Sequence, residues 1–263
     1  MKRLAFLTGL AALLSIASAS AADLAYKAPP QIAPAAINWT GWYVGVNVGY
    51  GNNYNDTTVL GVDPISSLVV QTGIVPGTMN AQQSGWLGGG QIGYNWQYSQ
   101  IVFGIETDIQ FADVKGSATQ VLTTGPIGLP ASLTSTTQTN LDWFGTLRAR
   151  AGFLVSDRAL LYATGGLAYG SVDHGASAVL QTPFGIAGSA IGNTSDVKTG
   201  WTLGAGMEYA LLPNITLKAE YLYVDLGNIG SSYTANILGT NISFASNQDL
   251  SYHFVRGGLN FRF

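Results

Sequence analysis

The 263-residue sequence contains no cysteine, which excludes disulfide scaffolds and thiolate metal sites. Charged residues are also scarce, at 10% of the chain, against about 25% in typical soluble domains. A soluble protein covers its surface with charges, whereas a wall that faces lipid does not need them. The deficit therefore favours a membrane protein. The net charge of −3 and the lack of any basic run give no indication of a nucleic-acid partner.

Long apolar runs are absent as well. Nothing after residue 22 reaches the roughly 18 apolar residues that a membrane helix needs. At the N terminus, two basic residues precede a short apolar run from Leu4 to Ile16, and small residues close it. This pattern predicts a signal peptide over residues 1–21, cleaved between Ala21 and Ala22. A retained N-terminal anchor helix is the alternative.

Beyond the signal, the sequence changes character twice. Residues 22–38 hold three prolines and predict an extended periplasmic tether. From residue 39, apolar residues recur at every second position, which is the period of β-strands. Eight strands are predicted, over 41–51, 85–97, 101–112, 139–154, 160–171, 199–210, 215–226 and 250–263.

The predicted connections alternate strictly between short and long. Three are short turns, and the four long ones, rich in Ser, Thr, Gly and Asn, cover 52–84, 113–138, 172–198 and 227–249. This alternation predicts an all-β fold: an eight-stranded antiparallel up-and-down transmembrane β-barrel over residues 39–263, with short periplasmic turns and four long extracellular loops. An apolar stretch from Ile65 to Val75 is expected to form a hairpin that extends the neighbouring strands outside the membrane; a ten-stranded barrel is the alternative.

Aromatic residues occupy the ends of the apolar strand faces, and aliphatic residues or glycine the centres. On the strand over 139–154, for example, the outward set runs from Leu141 to Phe153. Two aromatic girdles are typical of membrane barrels, because amphipathic rings favour the headgroup zone. A soluble sandwich does not explain why aromatics avoid strand centres. The predicted girdle residues are Trp42, Tyr50, Trp86, Trp96, Trp143, Phe153, Tyr169, Trp201, Tyr209 and Tyr223.

The opposite strand face collects most of the rare charges. The predicted lumen network comprises Glu106, Asp108, Asp142, Arg148, Arg150, Glu208, Lys218, Glu220, Arg256 and Arg262. Charges in a dry interior must be paired, and an eight-stranded barrel is just wide enough for side chains to fill it. The cluster therefore predicts a salt-bridge plug. A narrow gated pore and catalysis by paired carboxylates are the alternatives.

Nothing in the sequence indicates an enzyme. His174 is placed in the third long loop, and His253 faces outward near the outer end of the last strand. Neither histidine shares a motif with a serine and an acid, and G-x-S-x-G is absent. The run from Gly88 to Gly90 lies inside a strand without a following helix, so it fails the test for nucleotide binding. We therefore expect no enzymatic activity, no cofactor and no metal site.

Several segments together resemble the small outer-membrane β-barrel proteins of α-proteobacteria, of the outer-membrane immunogenic protein or surface antigen type, often labelled porins. The segments are Ala22-Asp23-Leu24, Tyr26-Lys27-Ala28-Pro29-Pro30, the opening strand from Trp39 to Gly45, Leu147-Arg148-Ala149-Arg150-Ala151-Gly152, and the ending from Val255 to Phe263. Their barrel is similar to the membrane domain of outer-membrane protein A. The resemblance implies an exported protein of the Gram-negative outer membrane, in contact with lipid and lipopolysaccharide.

The resemblance implies two further features. Leu259, Phe261 and Phe263 match the C-terminal signal that the barrel-assembly machinery reads. The Ala22-Asp23 start resembles mature N termini that are joined covalently to peptidoglycan, although a plain unattached linker is equally compatible. The soluble peptidoglycan-binding domain of outer-membrane protein A does not follow Phe263, so wall contact is expected from residues 22–38. The expected function is a structural, surface-exposed barrel that contributes to envelope integrity; a narrow porin for small solutes is the alternative.

Overall fold

The structure is a computed structural model that describes residues 37–123, 131–237 and 240–263. The predicted signal peptide and nearly all of the predicted tether lie outside these ranges. The described elements are β1 (Gly41–Asn53), β2 (Thr57–Gly61), α1 (Pro64–Gln71), β3 (Thr78–Met79), β4 (Gln83–Tyr98), β5 (Ile101–Leu122), β6 (Ser132–Ser156), β7 (Ala159–Thr182), β8 (Gly185–Leu212), β9 (Ile215–Ile237) and β10 (Thr240–Arg262). No helix in the described ranges is both long and apolar enough to cross a bilayer.

Eight antiparallel strands close into a ring. The order is β1-β4-β5-β6-β7-β8-β9-β10, and β10 pairs back onto β1 from His253 to Arg262. Closure removes the free sheet edges that lipid cannot hydrogen-bond. The eight-stranded barrel prediction is therefore confirmed. Three two-residue turns, at 99–100, 157–158 and 213–214, join strands at the end where the ring begins and finishes, as predicted.

Three of the four long connections are strand for most of their length. The hairpins β5–β6, β7–β8 and β9–β10 continue about ten residues beyond the predicted strand ends. We call the outer part of these hairpins the outer extension; it comprises 113–122, 132–142, 172–199, 227–237 and 240–250. The high Ser and Thr content of these segments is typical of loops. Threonine, however, favours strands, and alternate side chains here still pack on one buried face.

The first long connection folds differently from the predicted hairpin. Residues 64–71 form the helix α1, because Pro64 stands at its first position and Asp63 caps its N terminus. The Asp63 carboxylate accepts hydrogen bonds from the backbone N–H groups of Ile65 and Ser66, at 3.0 and 2.9 Å. The hairpin prediction is wrong for this stretch. The flanking strand β2 pairs with β10 at 244–248, so β2 and β3 lie outside the eight-membered ring.

A β-bulge in β6 reverses the alternation of its side chains. The register shifts between Leu141 and Trp143, so Asp142 is an extra residue on the strand. Below the bulge, Phe144 and Thr146 point inward; above it, Leu141 points inward and is buried. The prediction that Leu141 faces outward is therefore wrong. Extrapolating one parity along the strand cannot detect an inserted residue.

Candidate functional site: the filled lumen

The inward face of the barrel places eight charged side chains in one layer. They come from five of the eight ring strands, β5, β6, β8, β9 and β10, and each is at most 4% exposed. Alternation brings them together, since residues two apart on a strand share a face and neighbouring strands align them at similar heights. The eight residues, which we call the charge layer, are Glu106, Asp108, Arg148, Arg150, Glu208, Lys218, Glu220 and Arg256.

Glu106 occupies the centre of the charge layer. Its carboxylate pairs with Arg148, the residue directly opposite on β6. Lys218 Nζ reaches across the lumen from β9 and donates to both carboxylate oxygens of Glu106, at 2.8 and 2.9 Å. The hydroxyl of Tyr43 on β1 donates to Glu106 Oε2 at 2.7 Å. One carboxylate thus ties together four strands that are not all neighbours in the sheet.

Arg256 forms a second set of contacts in the charge layer, with Asp108 and Glu220. Its Nη2 lies 2.9 Å from Asp108 Oδ2, and its Nε donates to Glu220 Oε2 at 2.6 Å. Arg148 also lies between these acids, 3.0 Å from Asp108 and 3.2 Å from Glu220. The two arginines and two acids therefore form a continuous chain of ion pairs across the lumen.

Arg150 and Glu208 form the part of the layer nearer the short turns. Arg150 Nη2 donates to Glu208 Oε1 at 2.7 Å, and its Nη1 donates to the Tyr43 hydroxyl at 3.1 Å. The guanidinium carbon lies 4.1 Å from the ring centroid of Tyr162, a cation–π distance. Tyr162 in turn donates to Glu220 at 2.9 Å. Two tyrosines thus link this pair to the centre of the layer.

The charge layer is electrically balanced. Four carboxylates face three guanidinium groups and one ammonium group, and every one of the eight has an opposite charge within 4.0 Å. Burying an unpaired ion costs several kcal/mol, whereas a neutral, hydrogen-bonded set offsets most of that cost. The charge layer as a whole therefore carries no net charge.

Some buried polar atoms beside the charge layer have no protein partner in the described ranges. They include Asp108 Oδ1, Thr146 Oγ1 and both amide atoms of Gln110. All three residues face inward, and Asp108 and Thr146 are directly opposite each other on β5 and β6. Buried polar groups of this kind are normally satisfied by internal water. Side chains therefore pack the layer closely, but they do not provide a hydrogen-bond partner for every polar atom in it.

Apolar layers close the lumen above the charges. Next to the charge layer, Phe144 and Phe254 stack with ring centroids 4.8 Å apart, and Tyr252 stacks on Phe254 at 5.8 Å. All three side chains are fully buried. Farther out, a second cluster packs beneath α1 and includes Val75, Met79, Tyr233 and Phe244. The two clusters separate the charge layer from the outer end of the barrel.

A polar layer containing His174 lies inside the outer extension. His174 Nδ1 is 2.7 Å from Thr139 Oγ1, and its Nε2 is 3.0 Å from Ser246 Oγ. Thr139 also donates to Gln248 at 2.6 Å. Burial lowers the pKa of the His174 imidazole. His174, predicted in a loop, lies on β7 and points inward because the strand continues past its expected end.

Trp39 closes the opposite mouth of the barrel. Its side chain is fully buried, and the Arg262 guanidinium lies over its ring, 4.7 Å from the centroid. Arg262 also donates to the backbone carbonyls of Asn38 and Pro213, at 3.1 and 2.7 Å. The chain just before β1 is therefore held inside the mouth. Arg262 was predicted in the ion-pair network, yet no described carboxylate lies within salt-bridge distance of it.

Comparison with known proteins agrees with this architecture. The sequence model for the outer membrane protein beta-barrel domain matches residues 9–263. The 31 kDa outer-membrane immunogenic protein of Brucella melitensis is 40% identical over 253 residues, which cover 94% of either chain. The 25 kDa outer-membrane immunogenic protein of Brucella abortus is 28% identical over 94% of this chain and 92% of its own. A 22 kDa outer membrane protein of Rhizobium leguminosarum is 32% identical over 52% of each chain.

The chain belongs to the outer membrane β-barrel family. Its location is the outer membrane, and the outward face of the ring contacts lipid. The resemblance to immunogenic outer-membrane proteins is likewise confirmed. The names of these relatives state no enzymatic activity.

The predicted girdle residues of this outer-membrane barrel all lie on its outward face. Those at the outer end pair across strands: Tyr50 contacts Trp86, Trp143 contacts Tyr169, and Trp201 contacts Tyr223, with centroids 5.3 to 6.1 Å apart. At the inner end, Trp42, Trp96, Phe153 and Tyr209 are about half exposed. Leu259, Phe261 and Phe263 also face outward, and their role in assembly stays a prediction.

Asp142 does not belong to the lumen network, so its prediction as a lumen residue is wrong. It is exposed on the outside of the barrel, in the bulge of β6, instead of pointing inward. Partial burial and the neighbouring Asp173 raise the pKa of its carboxyl. The extra bulge residue is the physical reason, since it places Asp142 out of the alternation that the strand follows below it.

Sequence reasoning missed three aromatic side chains that complete the lumen. Tyr43 and Tyr162 bridge the charge layer, and Trp39 fills the inner mouth. Tyr43 follows the outward-facing Trp42 on β1, so the alternation of side chains is enough to predict that Tyr43 points inward. Trp39 precedes the first strand and has no parity to read. Among the described residues, no group of three or more His, Cys, Asp or Glu side chains forms a metal site.

Proposed function

We propose that this outer-membrane protein is a structural, surface-exposed barrel that contributes to envelope integrity and does not conduct solutes. The observation that carries the proposal is the charge layer, whose four acids and four bases pair across the lumen. The stacked rings of Phe144 and Phe254 and the buried Trp39 support it, because they close the same lumen at two other heights.

Planar-bilayer recording on the purified, refolded protein tests this proposal. We expect no steady conductance steps at moderate voltage, either for the native chain or for variants with Arg148→Ala or Arg150→Ala. Steps that appear in the native protein and change in size with these substitutions would overturn the proposal. That result would favour the narrow porin, for which the unpartnered polar atoms of Asp108, Gln110 and Thr146 would provide a hydrated path.

A non-enzymatic role is part of the same proposal. The arrangement of His174 and Ser246 places an imidazole beside a hydroxyl, but both side chains are buried, and no carboxylate of the described residues contacts the ring. His253 lies on the outer wall, where its Nδ1 is 2.6 Å from the Tyr221 hydroxyl. Within the described part of the chain, neither histidine has both an accessible nucleophile and an orienting acid beside it, which hydrolases need.

We also propose that the N terminus tethers the barrel to peptidoglycan through Ala22-Asp23, which lie outside the described residues. Support comes from the Trp39–Arg262 contact, which anchors the end of residues 22–38 in the inner mouth. The test is mass spectrometry of digested sacculi. Muropeptides bearing the Ala22-Asp23 end are expected. Their absence, or a mature start at another residue, would remove the tether while leaving the structural role intact.

A further inference from the structure

The outer extension is divided into two zones by the position of its charges. Near the aromatic girdle it carries charged side chains of both signs, for example Asp113 and Lys115 on β5 and Asp196 and Lys198 on β8. Farther out, the sequence contains no Asp, Glu, Lys or Arg over 116–141, 174–195 and 226–248. We call the described residues of these three stretches, together with residues 57–83, the distal end.

Contact with lipid does not explain the lack of charge at the distal end. The girdle residue Tyr169 marks the headgroup zone on β7, and the strand continues to Thr182. At about 3.3 Å per residue, the tip of the β7–β8 hairpin lies about 40 Å farther along the strand. Surfaces that face water normally carry about 25–35% charged residues. Over 57–83 the single charged residue is Asp63, and its carboxylate already accepts hydrogen bonds from α1 and from Ser243.

Large apolar side chains are exposed at the distal end. Phe184, in the turn between β7 and β8, is 98% exposed, and Ile186 follows it on β8 at 67%. On α1, Ile65 and Leu68 lie one turn apart and are 48% and 60% exposed. A single exposed leucine is common in proteins. An aromatic ring that lies wholly in water, in a region without charges, instead indicates a surface that another molecule covers.

The turn that carries Phe184 is fixed by its own hydrogen bonds. Thr182 Oγ1 donates to the Gly185 carbonyl at 3.0 Å and accepts from the Phe184 backbone N–H at 3.3 Å. Pro183 restricts the backbone between them, and Gly185 has a φ of 119°, which favours glycine. A side chain on a preorganised turn loses little conformational entropy when it binds. Phe184 therefore has the properties of an anchor residue at a protein–protein interface.

These features favour an uncharged partner, and the distal end of a second copy meets that requirement. A charged partner would lose its water on contact and gain no ion pair. Two identical surfaces without charge do not repel each other, and an isologous contact uses the same surface on both copies. Phe184 can then serve as the anchor and α1 as the receiving face, once from each side. Because the distal end points away from the membrane of its own barrel, the second copy meets it from a facing membrane.

We propose that the distal end binds the distal end of a second copy held in a facing membrane, with Phe184 of each copy packed on the exposed face of α1 of the other. The inference assigns the surface-exposed barrel a contact between two membranes. It goes beyond the structural role of the lumen, and it depends neither on whether the barrel conducts nor on whether the N terminus is tethered.

A vesicle-clustering experiment tests the proposal. The mature protein is refolded into phosphatidylcholine vesicles that carry one of two fluorescent dyes, and two-colour fluorescence cross-correlation measures the formation of mixed clusters. Mixed clusters are expected when both populations carry the protein, and none when one population is protein-free. Clustering with protein-free vesicles would overturn the proposal, because the distal end would then insert into lipid. The absence of clusters when both populations carry the protein would overturn it as well.

Two substitutions test the residues of the contact. Phe184→Ser and Leu68→Ser should each slow mixed clustering about ten-fold, the effect of removing one anchor from an interface. Both side chains are more than half exposed, so neither change removes a buried contact of the barrel. Val197→Ser is the matched control and should cluster at the native rate, because Val197 is 62% exposed on β8 but pairs with Ser171 near the girdle. A native rate in Phe184→Ser or in Leu68→Ser would overturn the proposed contact.

Salt and a chelator distinguish this contact from bridging by the charges near the girdle. Because the distal ends meet without charge, the clustering rate should not fall between about 0.05 M and about 0.5 M NaCl, nor on addition of EDTA. A rate that falls under either condition would assign the contact to the charged zone and overturn the proposal.

Discussion

At the scale of single residues, the barrel depends on pairing each buried charge. Glu106 contacts Arg148, Lys218 and Tyr43, so its carboxylate neutralises more than one cation. Exposed pairs behave differently, because water and salt screen them. The Lys115–Asp113 pair, with both side chains more than half exposed, is the internal comparison.

Glu106→Gln should destabilise the folded barrel by about 3–5 kcal/mol, since it leaves buried cations short of one negative charge. Adding Lys218→Met should recover part of the loss by restoring neutrality. Urea unfolding in lipid vesicles measures the free energy. Asp113→Asn serves as the control and should not change it measurably. Equal stability of Glu106→Gln and the native protein would contradict the paired-charge account.

His174 should make the outer extension sensitive to acid. Burial lowers the pKa of its imidazole below the ordinary 6.5, so the unfolded segment binds a proton more readily than the folded one. Its neighbours Thr139, Ser246 and Gln248 carry no charge that compensates protonation. Stability is therefore complete above about pH 6.5 and falls as the pH drops below it.

Hydrogen exchange of the amides in β7 beyond His174 measures this effect. Exchange should accelerate between pH 7 and pH 5 after correction for intrinsic rates, and His174→Gln should remove the pH dependence. His253→Gln is the matched control, because this histidine lies on the outer wall. A pH response that survives in His174→Gln would assign the sensitivity to another group.

At the scale of elements, α1 forms because its N terminus is capped twice. Asp63 accepts from the helix backbone, and the Ser66 hydroxyl accepts from the Asp63 backbone N–H at 2.9 Å. Asp63 also accepts from the backbone N–H of Ser243 on β10 at 2.8 Å. One side chain thus starts the helix and attaches it to the barrel.

Asp63→Ala should loosen α1 without unfolding the ring. Exchange of the α1 amides should accelerate about five-fold, the effect of losing one N-cap. Amides of β1 and β4 should keep their native rates, because the cap contacts neither strand. Asp56→Ala, an exposed acid a few residues earlier, is the control. Unchanged exchange in Asp63→Ala would show that packing alone holds the helix.

At the scale of the whole molecule, the lumen is closed at several heights by different chemistry. Trp39 closes the inner mouth, the charge layer the middle, and two apolar clusters the outer half. Removing one closure leaves the others in place. The proposed structural role therefore depends on the sum of the layers, which no single substitution should abolish.

The double variant Phe144→Ala/Phe254→Ala tests this redundancy. It should lower stability by several kcal/mol, because large-to-small changes in a packed interior cost about 3–5 kcal/mol each. It should nevertheless give no conductance in planar bilayers. Open steps in this variant would show that the apolar layer alone seals the barrel, and that the charge layer is permeable.

The barrel could be predicted from the sequence alone. Strict period-two alternation, aromatics at strand ends and charges at the opposite parity leave one way to bury polar backbone in lipid. The short turns and the inward positions of Glu106, Arg148 and Lys218 followed from the same local rule. These features are predictable because each depends only on residues nearby in the chain.

Features that depend on contacts between residues far apart in the sequence could not be predicted from it. Asp142 faces outward because one bulge residue shifts β6, and His174 is buried because strands continue where polar composition suggested loops. Trp39 fills the mouth because residues distant in the sequence surround it, among them Arg262, whose guanidinium stacks on its ring. Which charges pair inside the lumen is likewise decided by the alignment of the strands, since register, not composition, determines which residues meet.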